Sequence, residues 1–325
     1  MNSSVRKIQL TGGSTYIVSL PSDWIRDNHL SKGSEVRIEH LNGDIVVSSN
    51  GTAKKENTKV LRITGKVDLT ALDRTLTSLY IANFDTIIVK NSGHMDPALR
   101  DEIRRFSKLV MGVEIFEESS DTIVLQNVLD SSSFPIPNAI RRMSLNVTTM
   151  ISDVIEAIKR KDEDLFRNII DRDDDVDRYQ WYIYREVRKN GSERDFAIFY
   201  LIVSRILERI ADHAVNICKL WLENRNENAV DATGILDALE YSFKLYQESM
   251  EAFYSRNYGV LNTIIGRKEE VLILKREKLN SFKSEGNVAF LATSVEEVAR
   301  IGQYATDIAE LAMDMILSDK IEITI

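Results

Sequence analysis

The sequence predicts a multidomain α+β protein with a β-hairpin domain first, a small α/β domain next and a C-terminal all-α double three-helix bundle. Three observations carry this. All four prolines, Pro21, Pro97, Pro135 and Pro137, precede residue 138, so nothing afterwards removes a backbone donor from a helix interior. Strand-like alternation is confined to the part before Pro137, whereas apolar residues recur at three and four positions after it. Finally, 325 residues exceed what one core normally serves, since a domain takes roughly 150.

In the first segment, residues 6–10 alternate, Thr11-Gly12-Gly13-Ser14 turns, residues 15–20 alternate again, and residues 21–26 open a short helix around Trp24. Gly33 punctuates. Residues 35–39 and 45–47 then alternate around Asn42-Gly43, a hairpin signal because both residues tolerate positive φ. A unit of about fifty residues buries too little apolar surface to be comfortable alone, and pairing with a second copy is the expected remedy. This defines a first domain over residues 1–52.

Residues 59–130 read as strand 59–64, helix 68–83, strand 85–90, helix 96–111 and strands 113–117 and 122–126. Leu69, Leu72, Leu76, Leu79 and Tyr80 form one helical stripe, and Ile87-Ile88-Val89 is a short buried strand. No glycine-rich phosphate loop follows a strand: Thr64-Gly65-Lys66 lacks the earlier glycine of a P-loop. The unit reads as a connector or interaction domain.

Residues 131–137, rich in Ser and Pro, form the main boundary, and residues 137–318 hold the helices. Ile140, Met143, Val147, Met150, Ile151, Val154 and Ile158 repeat at helical spacing, as do Phe166, Ile169 and Val176, and then Val203, Leu207, Ile210, Ala214 and Ile217. Ser192 and Asp195 are spaced like a capping box between the second and third helices. Helices near 230–257, 258–283 and 288–317 follow, so one three-helix unit is written twice. Residues 208–217 line up with residues 299–308 with Arg, Ile, Ala and Ile in common.

Two resemblances follow from these residues. Arg6-Lys7, the Gly12-Gly13 turn, Leu20-Pro21, Lys32-Gly33 and Val36 resemble the AbrB or SpoVT swapped-hairpin DNA-binding domain over roughly residues 4–49. That likeness implies a homodimer of interleaved hairpins, with Arg6, Lys7 and Arg26 on the DNA face. The arginine often found after the turn glycine is absent, and Arg26 is followed by Asp27. Glu208-Arg-Ile-Ala-Asp212-His-Ala-Val-Asn216 resembles the PhoU family of phosphate uptake regulators, whose paired three-helix bundles carry acidic motifs. The order of the three segments looks like the archaeal phosphate regulator arrangement. The implied partners are DNA and a phosphate transporter or signalling protein.

The acidic turns carry the chemistry. Asp173 and Asp177 are four residues apart, as are Glu208 and Asp212, so each pair lies one turn apart on one helix face. Carboxylates facing a bundle interior are costly unless paired or metal-bound. With Asn216 a turn further on, they suit a hard divalent cation or iron in the first bundle. The alternative is a solvated acidic turn with Glu208 paired to Arg205 or Arg209. Aligning the repeats sets Asp177 against Leu272, Glu208 against Ala299 and Asp212 against Gln303, so the second bundle has lost those ligands and is expected to be structural. His213 follows Asp212, but adjacent helical residues do not face one another, so it reads as a bundle histidine and not as a base.

Charge and cysteine bound the rest. Residues 1–60 carry a balance of +2, residues 61–130 of −3 and the remainder of −7, so any DNA contact is local. A single cysteine, Cys218, excludes an intramolecular disulfide and suits a reducing, cytoplasmic setting. No apolar run reaches the ~18 residues of a membrane span, and no signal peptide is visible. The leading expectation is a cytoplasmic dimeric regulator of phosphate uptake or phosphate-responsive transcription, without enzymatic activity. The alternatives are an adaptor that docks on a transporter or kinase without touching DNA and, third, a metal-dependent hydrolase using the acidic turns.

Overall fold

The computed structural model describes residues 5–41, 44–49, 57–130, 133–190, 196–224, 232–282 and 288–318. The chain divides into two compact units, residues 1–56 and residues 57–325.

In the first unit, β1 (Gln9–Thr11) and β2 (Thr15–Ile17) pair antiparallel. Gly12 and Gly13 close the turn at φ of 61° and 82°, a region that glycine enters without steric cost. The short helix α1 (Ser22–Asp27) follows, then β3 (Val36–Leu41) and β4 (Asp44–Ser49), antiparallel with Ile38 opposite Val47. The expected turn residues Asn42 and Gly43 lie outside the described residues. The first strand begins later than its alternation predicts, because its ladder with β2 runs only from Gln9 to Thr11. Arg6 and Lys7 therefore precede the strand. None of the described side chains of this unit is buried, and Leu10, Tyr16, Ile38 and Ile45 are 58%, 72%, 59% and 63% exposed. The hairpins thus present apolar surface without enclosing a core of their own.

In the second unit the α/β layer comes first, and its elements match the predicted spans within one to two residues. They are β5 (Thr58–Ile63), α2 (Leu69–Ile81), β6 (Thr86–Asn91), α3 (Pro97–Leu109), β7 (Val113–Glu118) and β8 (Thr122–Asn127). The sheet order is β5-β6-β8-β7, with β5 parallel to β6 and the other two pairings antiparallel. Each helix starts where an aspartate satisfies an orphan donor: Asp68 accepts from Thr70 N at 3.1 Å and Asp96 from Ala98 N at 2.8 Å. Leu72, Leu76 and Tyr80 of α2 and Ile103 and Phe106 of α3 pack on Ile87, Val89, Ile123 and Leu125 of the sheet.

The helices form two similar halves. The first is α4 (Ile136–Arg160), α5 (Glu163–Asp171), α6 (Asp173–Asn190) and α7 (Ala197–Glu223). The second is α8 (Thr233–Ser255), α9 (Tyr258–Gly266), α10 (Lys268–Ser281) and α11 (Val288–Leu317). The middle helix of each predicted three-helix unit is thus broken, at Arg172 and at Arg267. Each of these arginines pairs back to the first helix of its half: Arg172 with Asp153 at 2.5 Å, and Arg267 with Glu248. Lys161 and Arg256 end α4 and α8 in the left-handed region, and Asp162 and Asn257 cap the helices that follow. The expected capping residues Ser192 and Asp195 lie outside the described residues.

One apolar core runs through both halves, and α7 and α11 pack against each other within it. The α/β layer is fastened to the bundle by α6. Trp181 packs against the α/β core, while the buried Arg185 Nη1 donates to the carbonyls of Tyr80 and Phe84 at 2.9 and 3.0 Å. Its Nη2 lies 3.6 Å from Asp85, and the guanidinium covers the Tyr80 ring.

Candidate functional site

The break at Arg172 starts α6 on an aspartate, and Asp173, Asp174 and Asp175 fill its first turn, where the helix dipole favours negative charge. Asp173 and Asp177 lie one turn apart and α7 packs alongside with Glu208 and Asp212. The four carboxyls feel one another. Burial and the neighbouring charges of Asp173, Glu208 and Asp212 push Asp177 up to about 7. Burial and Asp212 push Asp173 up to about 6, against the opposing pull of Lys219. Glu208 is also raised, by burial first and then by Asp212, although Arg205 and Arg209 pull it down.

Hydrogen bonding is incomplete at this face. Asp173 Oδ1 and Glu208 Oε2 are buried and accept from no partner, whereas Glu208 Oε1 receives Arg205 Nη1 at 3.0 Å. Acceptor oxygens left unpaired in a buried setting suit a hard cation in their chemistry. Their convergence is looser: among the described residues no three His, Cys, Asp or Glu side chains close to metal-holding spacing. Asn216 is directed elsewhere, its amide donating to Glu297 of α11 at 3.2 Å.

Glu297 is a polar centre that the spacing argument missed. It also lies 2.6 Å from His213 Nδ1, whose ring stacks on Tyr304 with centroids 5.6 Å apart. Burial pushes the Glu297 carboxyl up, but the hydrogen bonds from His213 and Asn216 more than offset this and leave it lowered. His213 is thus the polar bundle histidine its position predicts. The signal for Glu297 was available only in part, as an acid just ahead of the repeated residues 299–308.

The second half is different at the equivalent place. Lys268, the first residue of α10, stands where Asp173 stands in the first half, and its Nζ lies 2.8 Å from Asp307 and 3.4 Å from Glu310. An internal ammonium thus neutralises what acid remains.

The expected DNA-binding residues lie in the first unit. Arg6 and Lys7 are exposed ahead of β1, in no ion pair among the described residues. Arg26, on α1, is held by Asp23 at 2.9 Å and approached by Asp27 at 4.0 Å.

Comparison with known proteins finds two family matches. Residues 140–220 match the model of the PhoU domain, and residues 9–58 match that of the antidote-toxin recognition MazE domain of bacterial antitoxins. The phosphate-specific transport system accessory protein PhoU homolog of Clostridium acetobutylicum is 23% identical over 216 residues, covering 61% of this chain and 98% of the relative. The crystal structure of the phosphate transport system regulatory protein PhoU from Streptococcus pneumoniae superposes with a TM-score of 0.52 at 15% identity, over 58% of this chain and 96% of that one. PhoU from Pseudomonas aeruginosa gives 0.51 at 17% identity, over 57% and 96%. These relatives are bacterial, so the archaeal arrangement expected from the segment order has no support in them. No helix among the described residues is long and apolar enough to cross a membrane. Residues 140–220 are thus similar to a PhoU domain, and residues 9–58, ahead of the α/β layer and the helical halves, are similar to a MazE-type antitoxin domain.

Proposed function

We propose that the protein regulates phosphate uptake, acting as a homodimer joined through residues 1–56, with the acidic face of α6 and α7 as its regulatory site. The observation that carries this reading is the pairing of a PhoU-like bundle with one buried, unpartnered carboxylate oxygen on each of Asp173 and Glu208. The apolar, coreless hairpins of the first unit support its role as the dimeriser. A divalent cation or iron held by Asp173, Asp177, Glu208 and Asp212 would offset their mutual repulsion, and small side-chain rotations would bring the oxygens together. The partner is a phosphate transporter or its signalling protein. The test is uptake of labelled phosphate in cells lacking the protein. Uptake that stays high in phosphate-replete medium supports the reading, and uptake indistinguishable from the parent strain removes it.

A second reading, an adaptor that binds its partner without touching DNA, is favoured by one observation: Arg26 is already engaged by Asp23. Under the DNA-reading form, Arg6, Lys7 and Arg26 supply phosphate contacts, and binding weakens steeply with salt. A mobility shift of duplex DNA at low salt that is lost in the triple Ala variant supports the DNA form. Absence of any shift at low salt leaves the adaptor.

A further inference from the structure

We propose that the cleft between the α/β layer and the first helical half binds a small molecule bearing a phosphoryl group, with Arg142 and Arg178 as its anion clamp. The cleft has a volume of about 520 Å³. Met111 and Leu129 of the α/β side and Phe134 ahead of α4 form an apolar wall. Arg142 and Asn146 of α4 and Arg178 and Tyr179 of α6 form the facing polar wall.

The state of the two arginines carries the argument. Arg178 Nε is buried and donates to no partner, and neither Arg142 nor Arg178 joins an ion pair among the described residues. Most other partly buried cations of the bundle are engaged, as Arg172 is with Asp153. Two turns beyond Arg178 on the same helix, Arg185 Nη1 donates to Tyr80 and Phe84; the Nε atoms of Arg172 and Arg185 also lack acceptors, so what sets Arg178 apart is that its guanidinium has no ion pair among the described residues. A buried donor without an acceptor is a standing cost that a ligand oxygen relieves. The Arg142 guanidinium lies over the Phe134 ring at 5.6 Å, an arrangement that positions it while leaving its N–H donors free.

The donor set fixes the ligand class. Two forked guanidiniums from two helices, with an amide and a phenol beside them, exceed what the two oxygens of a carboxylate accept, and they match the three terminal oxygens of a phosphoryl group. The exposed Asp175 also lines the cleft and offsets one of the two positive charges. Binding therefore depends on hydrogen-bond geometry as well as on net charge. The volume and the apolar wall leave room for an organic body beyond the anion, so a phosphate ester fits better than free phosphate. The cleft is separate from the acidic face of α6 and α7 and does not rest on its reading.

Calorimetric titration of the full chain with adenosine 5′-monophosphate and, separately, with inorganic phosphate tests this. The wild type is expected to bind the ester, with at least a tenfold loss in Arg178→Gln and no measurable binding in Arg142→Gln/Arg178→Gln. The control Arg167→Gln, at an exposed position of α5, should bind as wild type. Binding of inorganic phosphate with the same arginine dependence assigns the anion source to free phosphate and supports the clamp. If the double variant fails to fold, the single Arg142→Gln variant, altered at an exposed side chain, carries the test. Binding of neither probe at millimolar concentration, or binding unchanged in the arginine variants, overturns the proposal.

Discussion

Lys268 Nζ sits 2.8 Å from Asp307 Oδ1, and the pair occupies in the second helical half the place that Asp173 and Asn216 hold in the first. Two similar folds therefore solve one electrostatic problem differently. The second half sets Lys268 against its acids, while in the first Arg205 pairs with Glu208 but Asp173 and Asp177 stay raised by burial and by their acidic neighbours.

Added divalent cation should therefore stabilise only the first half. With Mn²⁺ at about a hundred times its dissociation constant, the gain is about 2.7 kcal/mol by mass action. Replacing Glu208 and Asp212 by Ala should abolish the gain, and replacing Glu269 and Asp307 should preserve it. Thermal melts with and without chelator read this directly, and equal loss in both variants would contradict the asymmetry.

Asp177 sets a pH dependence whose sign is fixed. Its folded pKa of about 7 lies above the ordinary 3.8, so the folded state binds the proton more tightly than the unfolded one. Its contribution to stability is full below pH 4 and is lost as the pH rises through 7. Asp177→Asn should stabilise the protein at pH 8 by about 1 to 3 kcal/mol relative to wild type, with the difference shrinking toward pH 5. Denaturant melts of the two proteins at both pH values check it; a constant difference would show that Asp177 titrates normally.

Arg185 fastens the α/β layer to the bundle through two carbonyls and Asp85. Arg185→Met should deprive the Phe84 carbonyl of its donor and remove one donor each from the Tyr80 carbonyl and Asp85, at a cost of about 3 to 5 kcal/mol. Hydrogen exchange should quicken at the end of α2 before it does in α7. Unchanged protection of α2 would show that apolar packing by Trp181 alone holds the layer.

Much of this architecture was legible because periodicity reports burial. The six elements of the α/β layer were readable since strand alternation, the leucine stripe of α2 and the Asp caps all pointed the same way. The break between α5 and α6 was not, because Arg172 is a good helix former with no Gly or Pro beside it. Its cause is tertiary, the ion pair to Asp153 nineteen residues earlier. The acidic pairs were readable from their spacing of four, whereas Glu297 meets His213 only after α11 has packed on α7. Arg6 and Lys7 lie ahead of a strand that starts at Gln9, because the alternation of the sequence continues past the point where a partner strand is present.

Dimerisation should depend on the first unit. A chain beginning at Asn57, which retains the whole second compact unit, should sediment as a monomer at concentrations where the full chain is dimeric. A dimer of undiminished strength in the shortened chain would place the interface elsewhere.

The central claim is that the acidic face of α6 and α7 carries the regulation of phosphate uptake. Complementation tests it most directly: labelled phosphate uptake in phosphate-replete cells lacking the protein, supplied with the wild type or with Asp173→Asn, Asp177→Asn, Glu208→Gln and Asp212→Asn combined. Removing mutual repulsion should leave the variant folded, which its melting profile verifies. The account predicts that the wild type returns uptake to the parental level and that the folded variant leaves it elevated. Full restoration by the variant would contradict it.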